Sequence, residues 1–230
     1  MRTVLPVTLK AIRQAEIEAI RPVLPPAGRI LEIGAGQGWQ AAQLSRWGYE
    51  VTALDLPDSR PPEISQFPVG VFNGTDLPFP DGFFDVIFSS SVMEHVAAFA
   101  PLQRELRRVL KPGGIAIHIV PNAVWRIWTF LVHYLECLRR PRKLLFAFFP
   151  PRHGETGTVF SEFILFCRCN WKKKFTRQGW TIVSCFSNRL FYTGQLLFAD
   201  CLSLGARRFL ALFLGGVCTV FVLQTGESKK

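Results

Sequence analysis

One short stretch restricts this chain more than any other. Arg29-Ile-Leu-Glu-Ile33 runs directly into glycines at 34, 36 and 38. A strand-like run that meets alternate glycines predicts a strand turning sharply into a helix, with backbone able to approach a ligand closely. Residues 40–47 carry the helical pattern, and Gly48 stops it. Residues 50–54 are a second apolar strand, which ends at Asp55. Two strands joined by a helical crossover belong to a parallel sheet.

The ligand of that turn can be narrowed from the residues around it. A dinucleotide fingerprint needs Gly or Ala where Trp39 stands, and no Walker lysine follows the glycines. Both phosphate-cradling readings are therefore set aside. What remains is three alternate glycines, a carboxylate (Glu32) two residues before the first, and Asp55 at the end of the second strand. A carboxylate in that position can accept both hydroxyls of a ribose.

The rest of the chain extends the same rhythm. Residues 8–20 read as an amphipathic helix ended by Pro22, Pro25 and Pro26, residues 57–62 as a loop, and residues 68–72 as a short strand. Residues 83–89 form an apolar strand and 102–110 an amphipathic helix broken by Pro112-Gly-Gly114. Residues 115–120 are a buried strand. Beyond Pro121 the order is an aromatic helix (123–138), a loop (141–157), a helix (161–177), a strand (180–186), one or two apolar helices (191–214) and a last strand (217–223). The expectation from this rhythm is an α/β, doubly wound sheet of seven strands, mostly parallel. Helical inserts at 121–160 and 188–214 belong to the C-terminal half, and 1–230 reads as one domain.

Charge divides the chain unevenly. Residues 1–119 hold 11 Lys/Arg against 12 Asp/Glu, a net of −1, whereas residues 120–230 hold 16 against 5, a net of +11. The second stretch also carries all six Cys and 14 of the 21 Phe. An anionic or apolar partner fits that half. The 15 uncharged residues 209–223 fall short of the roughly 20 a spanning helix needs, and Gly215-Gly216 divides them. They read as a helix end followed by a buried strand. The N-terminus has no apolar run of secretory type, so the expected location is cytoplasmic, with membrane association of the second half allowed by its composition.

Further motifs point to a family. Gly74-Thr-Asp-Leu-Pro-Phe-Pro-Asp-Gly-Phe-Phe-Asp85, Glu94-His95 within residues 89–96, and Arg104-Glu-Leu-Arg-Arg-Val-Leu-Lys-Pro-Gly-Gly114 follow the glycine turn in order. Over about residues 28–121 the chain resembles the class I S-adenosylmethionine-dependent methyltransferases, in particular the broad type 11 group. The resemblance implies a Rossmann-like sheet that is mostly parallel with an antiparallel last strand, S-adenosyl-L-methionine as cofactor, and a role for each matching position. Glu32 would anchor the loop or the methionine amine. Backbone at Gly34, Ala35, Gly36 and Gly38 would pack against the cofactor. Asp55 would hold the ribose with Leu56 beside the adenine. Asp76 and the Leu77 N–H would meet the adenine, and the carbonyl at Ser89 or Ser90 would face the methionine amine.

Transfer to a hydroxyl or an acidic carbon needs a base. His95, just after the fourth strand, and His153, in Pro150-Pro-Arg-His-Gly-Glu155, are the two candidates. No Cys-x-x-Cys pair exists, so no metal site is expected, and the cysteines read as reduced thiols. His118 reads as a core or strand-end histidine, and Lys172-Lys-Lys174 as a solvated helix end. The aromatic stripe Trp125, Trp128, Phe130 and Tyr134 suits a core, an acceptor cavity or a lipid interface, and these stay open. The expected partner is a small-molecule, glycan or lipid-like acceptor, with peripheral membrane contact. An RNA or protein acceptor is disfavoured because the basic residues alternate with large apolar ones. A non-catalytic membrane-associated scaffold is disfavoured by the intact acidic and glycine positions.

Overall fold

A computed structural model describes residues 6–57, 66–139, 151–193 and 202–226. In chain order it contains α1 (Pro6–Ile20), β1 (Arg29–Ile33), α2 (Trp39–Arg46), β2 (Glu50–Asp55), β3 (Val69–Val71), β4 (Phe84–Ser90) and α3 (Phe99–Val109). There follow β5 (Leu110–Pro121), α4 (Ala123–Arg139), α5 (Ser161–Leu165), α6 (Arg168–Arg177), β6 (Trp180–Ser187), α7 (Leu204–Leu214) and β7 (Cys218–Thr225). The seven strands form one sheet in the order β3-β2-β1-β4-β5-β7-β6, parallel except for β7, which runs antiparallel to both neighbours.

The central strands are covered on both faces, which is why burial in β1 and β4 runs continuously over residues 30–33 and 86–90 rather than alternating. Strand order reverses between β1 and β4, so a crevice opens beyond their carboxyl ends. Register brings Ile33 beside Leu54 on one side and Ser89 on the other, and the glycine turn leaves β1 at that crevice. Phe84, Phe88, Trp171, Phe175 and Phe221 are fully buried in the core. The indole N–H groups of Trp171 and Trp180 donate to the Pro121 carbonyl (3.1 Å) and to Gln103 Oε1 (2.7 Å), so both buried rings keep their polar ends satisfied.

Two segments differ from the sequence expectation. Residues 161–177 are two helices, not one. The chain extends at Cys167, whose thiol accepts the Asn170 N–H (3.2 Å) and starts α6 afresh. β5 begins at Leu110, before the Pro-Gly-Gly break: Leu110 pairs with Phe84, a bulge carries the break, and pairing resumes at Ile115. The uncharged run 209–223 is the end of α7, a turn at Gly215 and the start of β7. Among the described residues no helix is long and apolar enough to cross a membrane. Parts of the expected loops at 57–62 and 141–157, and of the apolar segment 191–214, lie outside the described residues.

Candidate active site

The glycine turn and Asp55 form one unit. Asp55 is buried, and its carboxylate accepts the Gly36 N–H at 2.6 Å and its neighbour's N–H, that of Leu56, at 2.7 Å. The Gly34 and Ala35 N–H groups donate to the Leu54 carbonyl, and the Gly38 N–H returns to Ala35. Gly34 has φ +72°, and a Cβ there would lie 2.2 Å from Val92 Cγ2, so only glycine lets the loop after β4 close over the turn. Gly36, at φ +54°, is the opposite case: a Cβ would meet no heavy atom within 4 Å. The turn therefore presents bare backbone to open space beside a buried carboxylate, which is the surface a ribose and its attached groups require. Trp39 begins α2 behind Gly38, whose φ of +74° makes it the left-handed residue at the helix start.

Glu32 lies beneath this turn and is buried. Burial pushes its carboxyl up to about 8, with Arg13 opposing and Asp55 reinforcing the rise. Arg13 belongs to α1, a helix whose function the sequence did not disclose. Its guanidinium donates to Glu16 (2.8 Å), to Ser90 Oγ (2.8 Å) and to Ser91 Oγ (3.1 Å). Ser90 Oγ also donates to Glu16 (3.0 Å), and the Tyr192 hydroxyl reaches the other Glu16 oxygen. This buried network ties α1 to the end of β4, and burial raises the Tyr192 and Cys218 groups within it. An i, i+3 Arg–Glu pair on an amphipathic helix looks like a solvated pair from sequence, so nothing marked it in advance.

A cavity of about 620 Å³ opens beyond β1, β2 and β4, within the usual range for small-molecule sites. Asp55, Leu56 and the 72–75 loop line it on one side; Ser91, Val92, His95 and Glu155 line it on another. Ser89 and Ser90 stand just behind this wall. Ser89 Oγ is bonded to His118 Nδ1 at 2.8 Å, and burial holds His118 down to about 3, so it stays neutral. The first position at the strand end that is not buried is Ser91, with a left-handed φ of +55°. Asp76 and Leu77 are likewise set back. Asp76 is exposed and accepts the Asn73 amide (2.6 Å), and the buried Leu77 N–H donates to Glu105 (3.2 Å). Arg108 braces that loop through two bonds to Glu105 and others to the Leu77 and Phe79 carbonyls. The residues facing the cavity here are Phe72, Asn73, Gly74 and Thr75.

His95 and His153, 58 positions apart in the chain, meet at the cavity rim with ring centroids 4.6 Å apart. His95 is lowered from its ordinary value, first by burial, with Glu94 opposing. Between them lies Glu94, whose Oε1 is 3.9 Å from His95 Nε2 and 3.7 Å from His153 Nε2. The loop bearing His153 is held in place by backbone. The Glu155 N–H donates to the Glu94 carbonyl (3.0 Å), and the His153 and Gly154 N–H groups donate to Glu162 Oε1 at 2.7 and 2.8 Å. Glu162 in turn pairs with the buried Arg126 of α4 at 3.0 Å. Trp125 packs on His153 at 4.5 Å, so the first member of the aromatic stripe supports the site. Lys174, expected in solvent, lies over the rings of Trp171 and Phe99, and burial lowers it.

The strand order and the sheet's antiparallel β7 are those of the class I methyltransferase fold. Residues 31–118 match the family profile described as the methyltransferase domain. An uncharacterized methyltransferase from Mycobacterium sp. (strain KMS) is 36% identical over 126 residues, covering 48% of this chain and 47% of that protein. A 2-methyl-6-phytyl-1,4-hydroquinone methyltransferase from Synechocystis is 33% identical over 103 residues, covering 41% of this chain and 32% of that protein. The chain thus spans about half the length, or less, of these relatives. Among solved structures, an S-adenosylmethionine-dependent methyltransferase from Mesorhizobium loti superposes with TM-score 0.57 at 18% identity, over 91% of this chain and 97% of the other. That likeness establishes the fold.

Proposed function

We propose that the protein is an S-adenosylmethionine-dependent methyltransferase acting on an apolar, lipid-like small molecule. The observation that carries the first part is the Asp55–Gly36 unit opening onto the cavity. A carboxylate at the end of a parallel strand, beside a glycine turn, can accept the hydroxyls of a ribose. The residues fit the cofactor elsewhere too: Gly36 offers bare backbone, Leu56 and Phe72 offer apolar surface for an adenine, and Glu32 offers a carboxyl beneath the turn. When bound, the cofactor supplies an electrophilic methyl group for in-line transfer. The protein's part is positioning. Val92, Val96, Ala97, Ala98 and Leu102 line the cavity with apolar surface, while His95 and Glu155 provide polar atoms at its edge.

Support for an apolar acceptor comes from the surface of the C-terminal half. α4 exposes Ile127, Leu131, Leu135 and Leu138, and α7 exposes Phe209, Leu212 and Phe213. Trp128 of α4 donates its indole N–H to the Leu214 carbonyl at the end of α7, so these helices are neighbours. The Synechocystis relative is named for a phytyl hydroquinone substrate, which is of the same chemical kind. Calorimetry with S-adenosylmethionine tests the core reading. Binding should weaken at least tenfold in Asp55→Ala, and absence of binding at millimolar ligand refutes it. A labelled-methyl assay should then place the label in the organic phase of an extract. Label confined to the aqueous phase rejects the lipid-like acceptor alone.

A further inference from the structure

The Glu94 carboxylate is the least satisfied polar group at the cavity. Its side chain is fully buried, and among the described residues neither oxygen has a hydrogen-bond donor. A buried carboxylate left in that condition is costly. Its Oε1 faces two imidazole nitrogens, beyond hydrogen-bonding distance at 3.7 and 3.9 Å. Lys174 adds a favourable field but lies over aromatic rings.

We propose that Glu94, His95 and His153 form a binding site for one divalent cation of the zinc class. One ligand atom from each of the three lies within 4.8 Å of the others. Tetrahedral ligation at about 2.1 Å separates ligands by roughly 3.4 Å, so small side-chain adjustments close the set. Two imidazoles and one carboxylate suit zinc and its neighbours rather than magnesium, which prefers an all-oxygen shell. The supporting shell is already built. The Glu155–Glu94 backbone bond and Glu162 hold the His153 loop, Arg126 holds Glu162, and Trp125 packs on the His153 ring. Gly154 allows this approach, since a Cβ there would lie 3.2 Å from the Glu94 carbonyl.

Three protein ligands leave a coordination position open, and His95 borders the cavity. That position takes an oxygen donor, so the acceptor class sharpens to an apolar molecule bearing a hydroxyl. This last clause rests on the methyl-transfer reading; cation binding does not.

The test uses the whole chain, stripped with chelator and titrated with Zn²⁺ by calorimetry and with Co²⁺ by visible absorption, without S-adenosylmethionine. The expected result is one ion per chain, a Co²⁺ d–d band of a four- or five-coordinate site, and at least tenfold weaker binding in Glu94→Gln and His153→Ala. His95→Gln, at the half-exposed ligand, is the variant least able to disturb folding and should show the same loss. Circular dichroism verifies the fold of each. No binding by the parent chain, binding undiminished in all three variants, or binding of Mg²⁺ in preference to Zn²⁺ overturns the proposal. Because the readout needs no cofactor, its failure is distinguishable from failure of the methyltransferase reading.

Discussion

Gly34 shows how one atom decides local structure here. Its φ of +72° and the 2.2 Å approach of Val92 to a would-be Cβ predict that Gly34→Ala destabilises the chain by about 1–3 kcal/mol in urea unfolding. Val92→Ala in the same chain should recover part of that loss, whereas a purely conformational penalty would leave it unchanged. Glu32 and His118 make opposite predictions with pH. Glu32 rises from 4.5 to about 8 on folding, so the folded state holds the extra proton between these values. Its contribution is complete below 4.5 and is lost as pH climbs to about 8. His118 falls from 6.5 to about 3, so its contribution is complete above 6.5 and is lost as pH drops toward 3. The two slopes oppose each other between 4.5 and 6.5. Between 6.5 and 8 Glu32 acts without His118, and Glu32→Gln should flatten the fall of stability there, measured by urea midpoints at each pH. An unchanged slope would place the proton elsewhere.

At the level of elements, the segment after α4 is held to α4 and α5 by polar contacts rather than by apolar burial alone. Arg126 and Glu162 are both buried, and Glu162 also receives the His153 and Gly154 N–H groups. Removing one partner leaves the other charge buried, so Glu162→Ala should cost about 3–5 kcal/mol. Replacing both with methionine should cost much less than the sum of the single changes, and a double-mutant cycle by chemical unfolding measures that difference. The aromatic stripe resolves in the same region. Trp125 packs on His153, Trp128 meets Phe191, and Phe130 meets Phe160 and Phe163. The exposed face of α4 is instead aliphatic. Periodicity located the helix, but partners in α5 and the loop before it chose which face was covered.

Across the whole molecule, the near-neutral and basic halves share one sheet: β5 of the first is paired with β7 of the second. The surplus of positive charge and the exposed apolar residues of α4 and α7 occur in the same half. If the acceptor is membrane-borne, the full chain should float with anionic vesicles at low salt and less as salt rises, because screening weakens the charge contribution. Leu212→Glu with Phe213→Glu should reduce flotation while leaving S-adenosylmethionine affinity within twofold. Flotation equal with neutral and anionic vesicles would remove the electrostatic part of this picture.

The parallel sheet, the glycine turn and Asp55 were legible in the residues because each depends on chain neighbours: short, mainly apolar runs without strict alternation suit strands covered on both faces, and alternate glycines at a strand end suit a tight turn. The antiparallel last strand followed from the motif resemblance rather than from local pattern. Helix 161–177 was misjudged because its break depends on one thiol cap, which composition does not reveal. The Arg13–Glu16–Ser90 network and the meeting of Glu94, His95 and His153 were invisible in the sequence. Their members are separated by up to about 80 positions, and only packing of α1 and the post-α4 loop against the end of β4 brings them together. Local propensity and periodicity thus carried the scaffold and the glycine turn. The rim of the cavity, where an acceptor would sit, was decided by long-range contacts, since a side chain's burial and partners are properties of the folded surface around it.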